Sequence, residues 1–171
     1  MGYVDLNNLH NPATSAFVPA AWGHQLRDND WWLAHRPHAH AYNASAQAIS
    51  TITTTDLSFN SERRDNAGIH SIVSDREKFY LKDAGQWLLW CAGYFEPNTT
   101  GVRILSLTIN DYVYPFGDFN GAPDSTSNGF VSCRVRMVCQ AGAEVRWTVY
   151  QNSGGNLDAT FEAGCVLLEV T

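Results

Sequence analysis

From about residue 41 onward, apolar and polar positions alternate in short runs that are separated by turn residues. Successive side chains of a β-strand point to opposite faces, so an alternation at every second position indicates strands. Clusters of Gly, Pro, Asn and Asp between the runs are typical of turns. The pattern predicts an all-β domain of two antiparallel sheets, a sandwich or jelly roll, with strands at 46–54, 56–60, 79–81, 86–95, 102–110, 129–139, 144–151 and 165–170.

The predicted strands are of two kinds. Strands 129–139 and 144–151 carry apolar residues on one face and polar or charged residues on the other, so each has one wet face. Strands 86–95 and 165–170 are apolar on both faces. A strand that is buried on both faces needs a partner beyond the opposing sheet, and a second copy of the chain supplies one. We therefore predict a subunit interface formed by Leu88, Trp90, Tyr94, Val166, Leu168 and Val170.

The first 40 residues differ from the rest of the chain. Residues 1–19 show no sustained periodicity and predict an extended arm, whereas 20–34 predict a short helix between Pro19 and Pro37. The helix carries three of the six tryptophans, which must dock on the same domain, a sister subunit or a larger assembly. We divide the chain into an attachment arm, 1–40, and a β-domain, 41–171. The predicted attachment residues are Trp22, Leu26, Trp31, Trp32 and Leu33.

Charge and composition exclude several classes of function. The net charge is −6 and the basic residues are scattered, whereas a nucleic-acid-binding surface requires a basic stripe. No apolar run approaches the roughly 20 residues that cross a membrane, and we expect neither a secretory signal nor a membrane partner. The protein is then made in the cytoplasm. The four cysteines lack C-x-x-C spacing, which predicts reduced core thiols and not a zinc or redox site.

Two clusters contain residue types that bind metal ions. Three-fold symmetry would bring equivalent copies of His35, His38 and His40 together, but no carboxylate or Cys lies at ligand spacing, so a polar linker is the favoured interpretation. Residues 118–121 begin like a calcium loop but lack Gly at the sixth position and Glu at the twelfth, which favours a plain turn. We expect no cofactor.

The sequence gives little support to catalysis. There is no Gly-x-Ser-x-Gly motif, and no phosphate-binding glycine loop precedes a helix. Carboxylates that could form a glycosidase pair are scattered over predicted turns: Glu62, Asp65, Asp75 and Glu77. We predict that the protein is not an enzyme, and a small hydrolase remains the disfavoured alternative.

Three segments together resemble the jelly roll of the tumour-necrosis-factor and complement globular-head superfamily. Residues 83–89 resemble its Gly-x-Tyr-x-Phe strand entry, and residues 135–145 resemble its hydrophobic strand, glycine turn and following strand. Residues 159–168 are similar to its Ser-x-Phe-x-Gly-x-x-Leu closing strand. The resemblance covers roughly residues 46–171, with the segments in the family's order. It implies a tumour-necrosis-factor-like jelly roll and, since members are typically trimers, a homotrimer.

The front of the chain resembles a different group. Residues 18–29 are similar to the Trp-Gly-x-Gln-x-Arg-Asp-Asn segment of structural proteins encoded by tailed bacteriophages, which precedes a comparable β-domain. Residues 59–65 and 68–71 resemble the first jelly-roll segments of that group. The resemblance implies a virion component. The Trp31-Trp32 pair and the His-rich stretch that follows depart from the group's pattern.

Two functional hypotheses follow from these resemblances. The first is a trimeric protein on the virion surface, most simply a capsid decoration protein that binds the major capsid protein through its arm. The second is a tail fibre or receptor-binding protein that binds tail proteins and a host surface glycan or protein. In the second hypothesis the host is contacted by an aromatic loop with Tyr112, Tyr114, Phe116 and Phe119.

Overall fold

The predicted two-sheet architecture is present in the computed structural model, which describes residues 20–114, 119–120 and 129–170, with side chains from His24 onward and outside 115–128. The predicted extended arm, 1–19, lies outside the described residues. The elements in chain order are α1 Ala20–Ala34, β1 His38–Tyr42, β2 Gln47–Ile49, β3 Thr55–Asp56, β4 Ser61–Asp65, β5 Lys78–Tyr80, β6 Gly85–Phe95, β7 Arg103–Ile109, β8 Tyr112–Tyr114, β9 Phe119–Asn120, β10 Gly129–Cys139, β11 Glu144–Gln151 and β12 Leu157–Val170.

The strands form two antiparallel sheets. The first sheet has the order β10-β6-β12-β1-β4, with β2 also paired to β12. The second sheet has the order β3-β11-β7-β8, with β5 paired to β11 and β9 paired to β7. Neighbours in each sheet are mostly distant in sequence, which is the connectivity of a jelly roll. The prediction of an all-β, two-sheet jelly roll after a short helix is confirmed.

The hydrophobic core lies between the inner faces of the two sheets. Trp87 and Phe161 from the first sheet and Trp147 from the second are almost completely buried. Phe95 meets Phe161 edge to face, with ring centroids 5.6 Å apart. These residues occupy alternate positions of their strands, so the predicted inward faces of β6, β10 and β11 are the observed ones.

The structure corrects the sequence interpretation at β1. Residues 38–40 were assigned to a polar linker, but His38–Tyr42 pairs with β12 on one side and β4 on the other. Strand β1 therefore begins before residue 41 and ends at Tyr42. Ala39 and Ala41 face the core and are fully buried. Alanine is too small to give a clear apolar alternation, so only the pairing reveals this strand.

Strand limits were also wrong at β12 and β7. Strand β12 begins at Leu157, well before the predicted start at 165, because Ala and Gly positions hide its alternation. Strand β7 ends at Ile109, where Asn110 and Asp111 adopt positive φ angles of 48° and 65°. Two successive positive φ angles form the tight turn that matches strand twist in a hairpin, and this turn connects β7 to β8.

Candidate functional site

The outer face of the first sheet, which points away from the second sheet, carries an apolar band. Four members lie on β6 at the outward positions, and Tyr94 among them is 46% exposed. Val166 on β12 lies opposite Leu88, and the half-exposed Phe130 on β10 lies opposite Tyr94. The apolar band consists of Leu88, Trp90, Ala92, Tyr94, Phe130 and Val166.

Trp90 is fixed in the centre of this band by a glycine on the neighbouring strand. Gly164 lies opposite Trp90, and a Cβ atom on Gly164 would stand 2.8 Å from the indole ring and 2.7 Å from the carbonyl oxygen of Ala39. Any other residue at 164 would displace the indole or strand β1. Glycine at position 164 therefore leaves room for the Trp90 indole against strand β12.

One side of the band ends in a polar cluster around Glu162. The carboxylate of Glu162 lies 3.0 Å from Nε2 of His40 and 3.6 Å from Nε of Arg63. His40 meets the Trp90 ring edge-on at 4.9 Å, and the Arg63 guanidinium lies over the ring of Tyr42 at 4.8 Å. We name His40, Tyr42, Arg63 and Glu162 the Glu162 cluster. It connects β1, β4 and β12 across the outer face.

Between the apolar band and the Glu162 cluster lies a groove of about 300 Å³. Its walls include the aromatic rings of Tyr42, Tyr94 and Phe130, and Arg63 and Glu162 supply its charged groups. The groove therefore combines apolar walls with one ion pair. A side chain from a second molecule that enters it would bury aromatic surface and meet a preformed charged pair.

Two of the predicted interface residues lie apart from the band. The pairing of β12 with β6 shifts register between Leu167 and Glu169, which is a β-bulge. Leu168, which lies at the bulge, lines a groove with Trp32 and Leu33 of helix α1, and Val170 beyond it lines a second groove with Trp31. The bulge thus directs the end of β12 toward the helix, whereas simple alternation predicted a continuation of the interface.

Helix α1 docks on its own domain through one of its predicted attachment residues. Trp32 is only 5% exposed and belongs to the hydrophobic core, and the Arg36 guanidinium covers its ring at 4.9 Å. Leu26, Trp31 and Leu33 each remain about half exposed. Trp32 therefore holds the helix to the domain, whereas the other three side chains contribute less to the docking. The side chain of Trp22 lies outside the described residues.

The predicted host-contact loop is described only in part. Tyr112 is 64% exposed on β8 and meets the half-buried Tyr114 edge to face, with centroids 4.8 Å apart. Phe116 and the side chain of Phe119 lie outside the described residues. The described part presents one exposed aromatic ring that its neighbour supports.

The three histidines of the predicted linker do not converge. His35 stacks on Trp31 at 4.6 Å, and Nδ1 of His38 lies 2.7 Å from the carbonyl oxygen of Arg36. His40 belongs to the Glu162 cluster. Within the described ranges, no group of three or more His, Cys, Asp or Glu side chains is arranged to hold a metal ion.

All four cysteines are buried, and they form no disulfide with one another. Burial raises the pKa of the Cys165 thiol to about 12, and burial also raises the pKa values of Cys91 and Cys139. A thiol acts as a nucleophile or metal ligand as the thiolate, so these groups are inert at neutral pH. They fill the core as small apolar side chains, as predicted.

Sequence reasoning missed the Glu162 cluster. The sequence predicts a polar linker at His40, and Tyr42 and Glu162 lie in segments of the β-domain without a predicted strand. One signal was present: Ala-His-Ala-Tyr at 39–42 and Ala-Thr-Phe-Glu-Ala at 159–163 both place small or apolar residues at every second position. A strand prediction for both segments would have placed the polar residues between them on one face.

The fold is similar to the folds of solved structures. The globular domain of zebrafish complement 1qA protein matches with a TM-score of 0.63 at 13% identity, over 80% of this chain and 99% of that one. The fold is a jelly roll of the complement and tumour-necrosis-factor type. Murine APRIL at pH 5.0 matches with a TM-score of 0.53 at 12% identity, over 76% of this chain and 99% of that one.

A vertex protein is also similar. The PRD1 vertex protein P5 matches with a TM-score of 0.54 at 11% identity, over 78% of this chain and 74% of that one. No protein-family model matches the chain, and no curated protein matches it by sequence. Within the part of the chain that the structure describes, no helix is long and apolar enough to span a membrane.

Proposed function

We propose that this chain is a trimeric structural protein of a phage virion that associates through the apolar band and the Glu162 cluster. The observation that carries the proposal is the band itself, because Trp90, Tyr94 and Phe130 form a contiguous apolar surface on the outside of a two-sheet domain. Contiguous apolar patches on the surfaces of soluble proteins mark interaction sites.

A trimer would bury this surface. The likeness to the complement-type jelly roll and the sequence resemblance to a family of trimers both support three copies. In a three-fold ring each subunit presents two different patches, so the flat band of one copy receives an edge of the next. Burial of Trp90 and Tyr94 in this way would remove two large aromatic surfaces from water in every subunit.

Light scattering coupled to size exclusion tests the association directly. We expect a mass about three times the 19.0 kDa of one chain, retained on dilution. A mass of one chain at every concentration would overturn the proposal. A dimer would contradict the three-fold ring while leaving the band as an interface.

The virion location rests on the resemblance of residues 18–29 to phage structural proteins and is supported by the likeness to a phage vertex protein. Leu26 and Leu33 lie one above the other on helix α1, two turns apart, and each is about half exposed. We propose that they bind a particle protein. Removal of the whole arm would also remove the buried Trp32, so point variants give the cleaner test.

Leu26→Glu combined with Leu33→Glu should abolish co-purification with particles and leave the mass and thermal melting of the trimer unchanged. Asp158→Lys is the matched control, since it changes an exposed charge at the opposite end of the β-domain. Normal incorporation of the double variant would exclude the helix as the attachment surface.

We place the protein on the head as a decoration protein. Local three-fold positions of an icosahedral shell give three arms equivalent contacts, and three arms bind multivalently. The net charge of −6 suits a surface that faces outward and away from packaged DNA. Quantification against the major capsid protein should give hundreds of copies per particle, and a few copies would place the protein on the tail instead.

A tail position with host binding is the second candidate, favoured by Tyr112. This ring is 64% exposed, and Tyr114 supports it from one side. Exposed aromatic rings bind the apolar faces of sugars and the apolar side chains of proteins. If this candidate holds, Tyr112→Ala should reduce binding of the purified trimer to host cells without changing its mass.

A further inference from the structure

Three connections of the chain form a small pocket that opens to solvent. Residues 43–47 follow β1 and enter β2, residues 58–60 connect β3 to β4, and Arg76 lies on the connection between β4 and β5. The pocket has a volume of about 190 Å³. We name it the polar pocket. Apart from one alanine, its lining residues are Asn43, Ser45, Gln47, Ser58, Asn60 and Arg76.

Two side chains fix the walls of the polar pocket. Asn43 is 6% exposed; its amide nitrogen donates to the carbonyl of Ser58, and its amide oxygen accepts the amide of Phe161 at 2.9 Å. Gln47 donates to the carbonyl of Asp56 at 2.9 Å and accepts the amide of Ser58 at 3.0 Å. These bonds join the two main-chain walls to each other and to β12, so the pocket exists before any ligand binds.

The groups that remain for a ligand are mainly hydrogen-bond donors. Oδ1 of Asn60 already accepts a backbone amide at 2.8 Å, which leaves its Nδ2. Nε of Arg76 already donates to a backbone carbonyl at 2.7 Å, which leaves its two Nη atoms. Within the described residues, these atoms and the hydroxyls of Ser45 and Ser58 have no hydrogen-bond or ion-pair partner. The pocket therefore suits a molecule that is rich in acceptors.

The charge of the pocket limits the kind of acceptor. Among the described residues that line it, Arg76 is the only charged one. A guanidinium binds a carboxylate through two parallel hydrogen bonds, so one arginine matches one carboxylate. The neutral amide and hydroxyl groups match the hydroxyl groups of a ligand. Phosphate carries more charge and is typically held by clustered backbone amides or several cations, which this lining lacks.

The size of the pocket limits the ligand further. Its 190 Å³ is smaller than the roughly 300–1,000 Å³ of pockets that take drug-sized molecules. We propose that the polar pocket binds a monosaccharide that carries one carboxylate. Arg76 binds the carboxylate, and Asn60, Ser45 and Ser58 bind hydroxyl groups of the ring. The proposal does not depend on the number of subunits or on the virion role.

A titration of the full-length protein with sodium glucuronate, followed by amide chemical shifts in NMR, tests the proposal. We expect saturable shifts in residues 43–47 and 58–60 and in the side-chain amide of Asn60. The dissociation constant should be on the order of 1 mM, which is typical of the lower ligand efficiencies for a molecule of this size. Sodium galacturonate, which differs in one hydroxyl position, is the second sugar acid.

Three further probes separate the parts of the ligand. Glucose has the ring without the carboxylate, acetate has the carboxylate without the ring, and inorganic phosphate is a plain anion. We expect each to bind at least about tenfold more weakly than the better sugar acid, because glucose lacks the charge-assisted hydrogen bonds and the two anions lack the hydroxyl contacts.

Variants of Arg76 assign the carboxylate contact. Arg76→Gln removes the charge, and we expect glucuronate and glucose to bind it with constants within about twofold of each other. Arg76→Lys also loses the Nε contact but keeps the charge, so it should keep a preference for glucuronate. Arg64→Gln is the matched control, since Arg64 is exposed on β4 and does not line the pocket, and it should behave as the wild type.

Several outcomes would overturn the proposal. One is the absence of shifts at the polar pocket with both sugar acids. Another is binding of acetate or phosphate as tightly as the sugar acids, which would show a simple anion site, and equal binding of glucose would show a site for neutral sugars. A preference for glucuronate that survives in Arg76→Gln, or is lost equally in Arg64→Gln, would exclude Arg76 as the carboxylate ligand and the proposal with it.

Discussion

The outer faces of the two sheets carry opposite chemistry. On the first sheet, the register pair Leu88 and Val166 lies beside Trp90 in the apolar band. On the second sheet, the register pair Ile104 and Tyr150 shares its strands with an ion network. In that network Arg146 contacts Glu144 at 3.0 Å, Asp56 at 3.5 Å and also Asp111, and Lys78 contacts Glu144 at 3.2 Å.

The difference indicates which face meets water. Charged side chains at 20–24% exposure, as for Arg146 and Glu144, can hydrate their free atoms and gain only modest energy from pairing. The apolar band forms no hydrogen bonds with water through its aliphatic and aromatic carbon atoms, so its burial is favourable. The Glu162 cluster is the exception on the first sheet, and its three elements meet at the rim of the groove. We infer that the first sheet binds a protein surface and that the second sheet stays solvated.

The largest expected effect comes from charges placed on each face. Leu88→Glu with Val166→Glu puts two like charges at one register pair of the band and should reduce the trimer to single chains. Ile104→Glu with Tyr150→Glu makes the same change at a half-buried pair on the second sheet and should leave the mass unchanged. Light scattering measures the molar mass of both double variants.

Circular dichroism must show that each of these variants is folded. Tyr94→Lys repeats the test on the first sheet at a more exposed position, where folding is less sensitive. Equal loss of association in the variants of both sheets would contradict the distinction between the faces.

The second effect concerns Gly164, which lies opposite Trp90 in the apolar band. Gly164→Ala places a Cβ atom against the Trp90 ring and the Ala39 carbonyl and should lower the free energy of unfolding by about 1–3 kcal/mol. Gly155→Ala is the control, because its added Cβ would meet nothing within 4 Å. Denaturant unfolding followed by tryptophan fluorescence measures both. Similar midpoints for the two variants would show that Trp90 is free to move.

The third effect concerns the Glu162 cluster. Glu162→Gln removes the carboxylate that contacts His40 and Arg63 and leaves the Arg63 guanidinium without its charged partner in the proposed interface. We expect about tenfold weaker trimer association, since an unpaired charge at a buried interface is costly. Glu144→Gln on the second sheet should leave association unchanged. Analytical ultracentrifugation gives the two constants, and identical values would remove the cluster from the interface.

The smallest effect is expected on the solvated face. Arg146→Ala removes the ion pairs that Arg146 forms and should lower the free energy of unfolding by about 0.5–1 kcal/mol at low salt. The difference from wild type should shrink in 1 M salt, where charges are screened within about 3 Å. Thermal melts at two salt concentrations measure it. A loss that does not depend on salt would indicate that Arg146 acts through packing.

Much of the fold could be predicted because it depends on local patterns. The alternation in 129–139 and 144–151 gave those two strands their observed bounds. Pro19 and Pro37 framed the helix that spans Ala20–Ala34. The double apolar character of 86–95 separated an inner face around Trp87 from an outer one around Trp90. Strand alternation depends on residues two positions apart, and the helix ends depend on prolines close to them, so a sequence displays these features directly.

The candidate site could be predicted only in part. Leu88, Trp90, Tyr94 and Val166 lie on the predicted outer face, whereas a bulge turns Leu168 and Val170 toward the helix. A bulge interrupts the two-residue period of a strand, and the residue types beside it do not predict its position. The Glu162 cluster was missed because its members are 20 or more positions apart in the sequence, apart from His40 and Tyr42 on β1.

The sequence by itself determined the fold class, the helix, the inert buried thiols and the existence of one strand with two apolar faces. The tertiary structure alone decided that His38–Tyr42 is a strand and that Trp90 packs over Gly164. It also decided that Trp32 packs into the core of its own domain and thereby holds the helix. The physical reason is the range of the interactions. The periodicity of a sequence indicates which positions of one strand or helix are buried. The contacts of small residues and of Trp32 depend instead on distant strands that pair with them or pack against them.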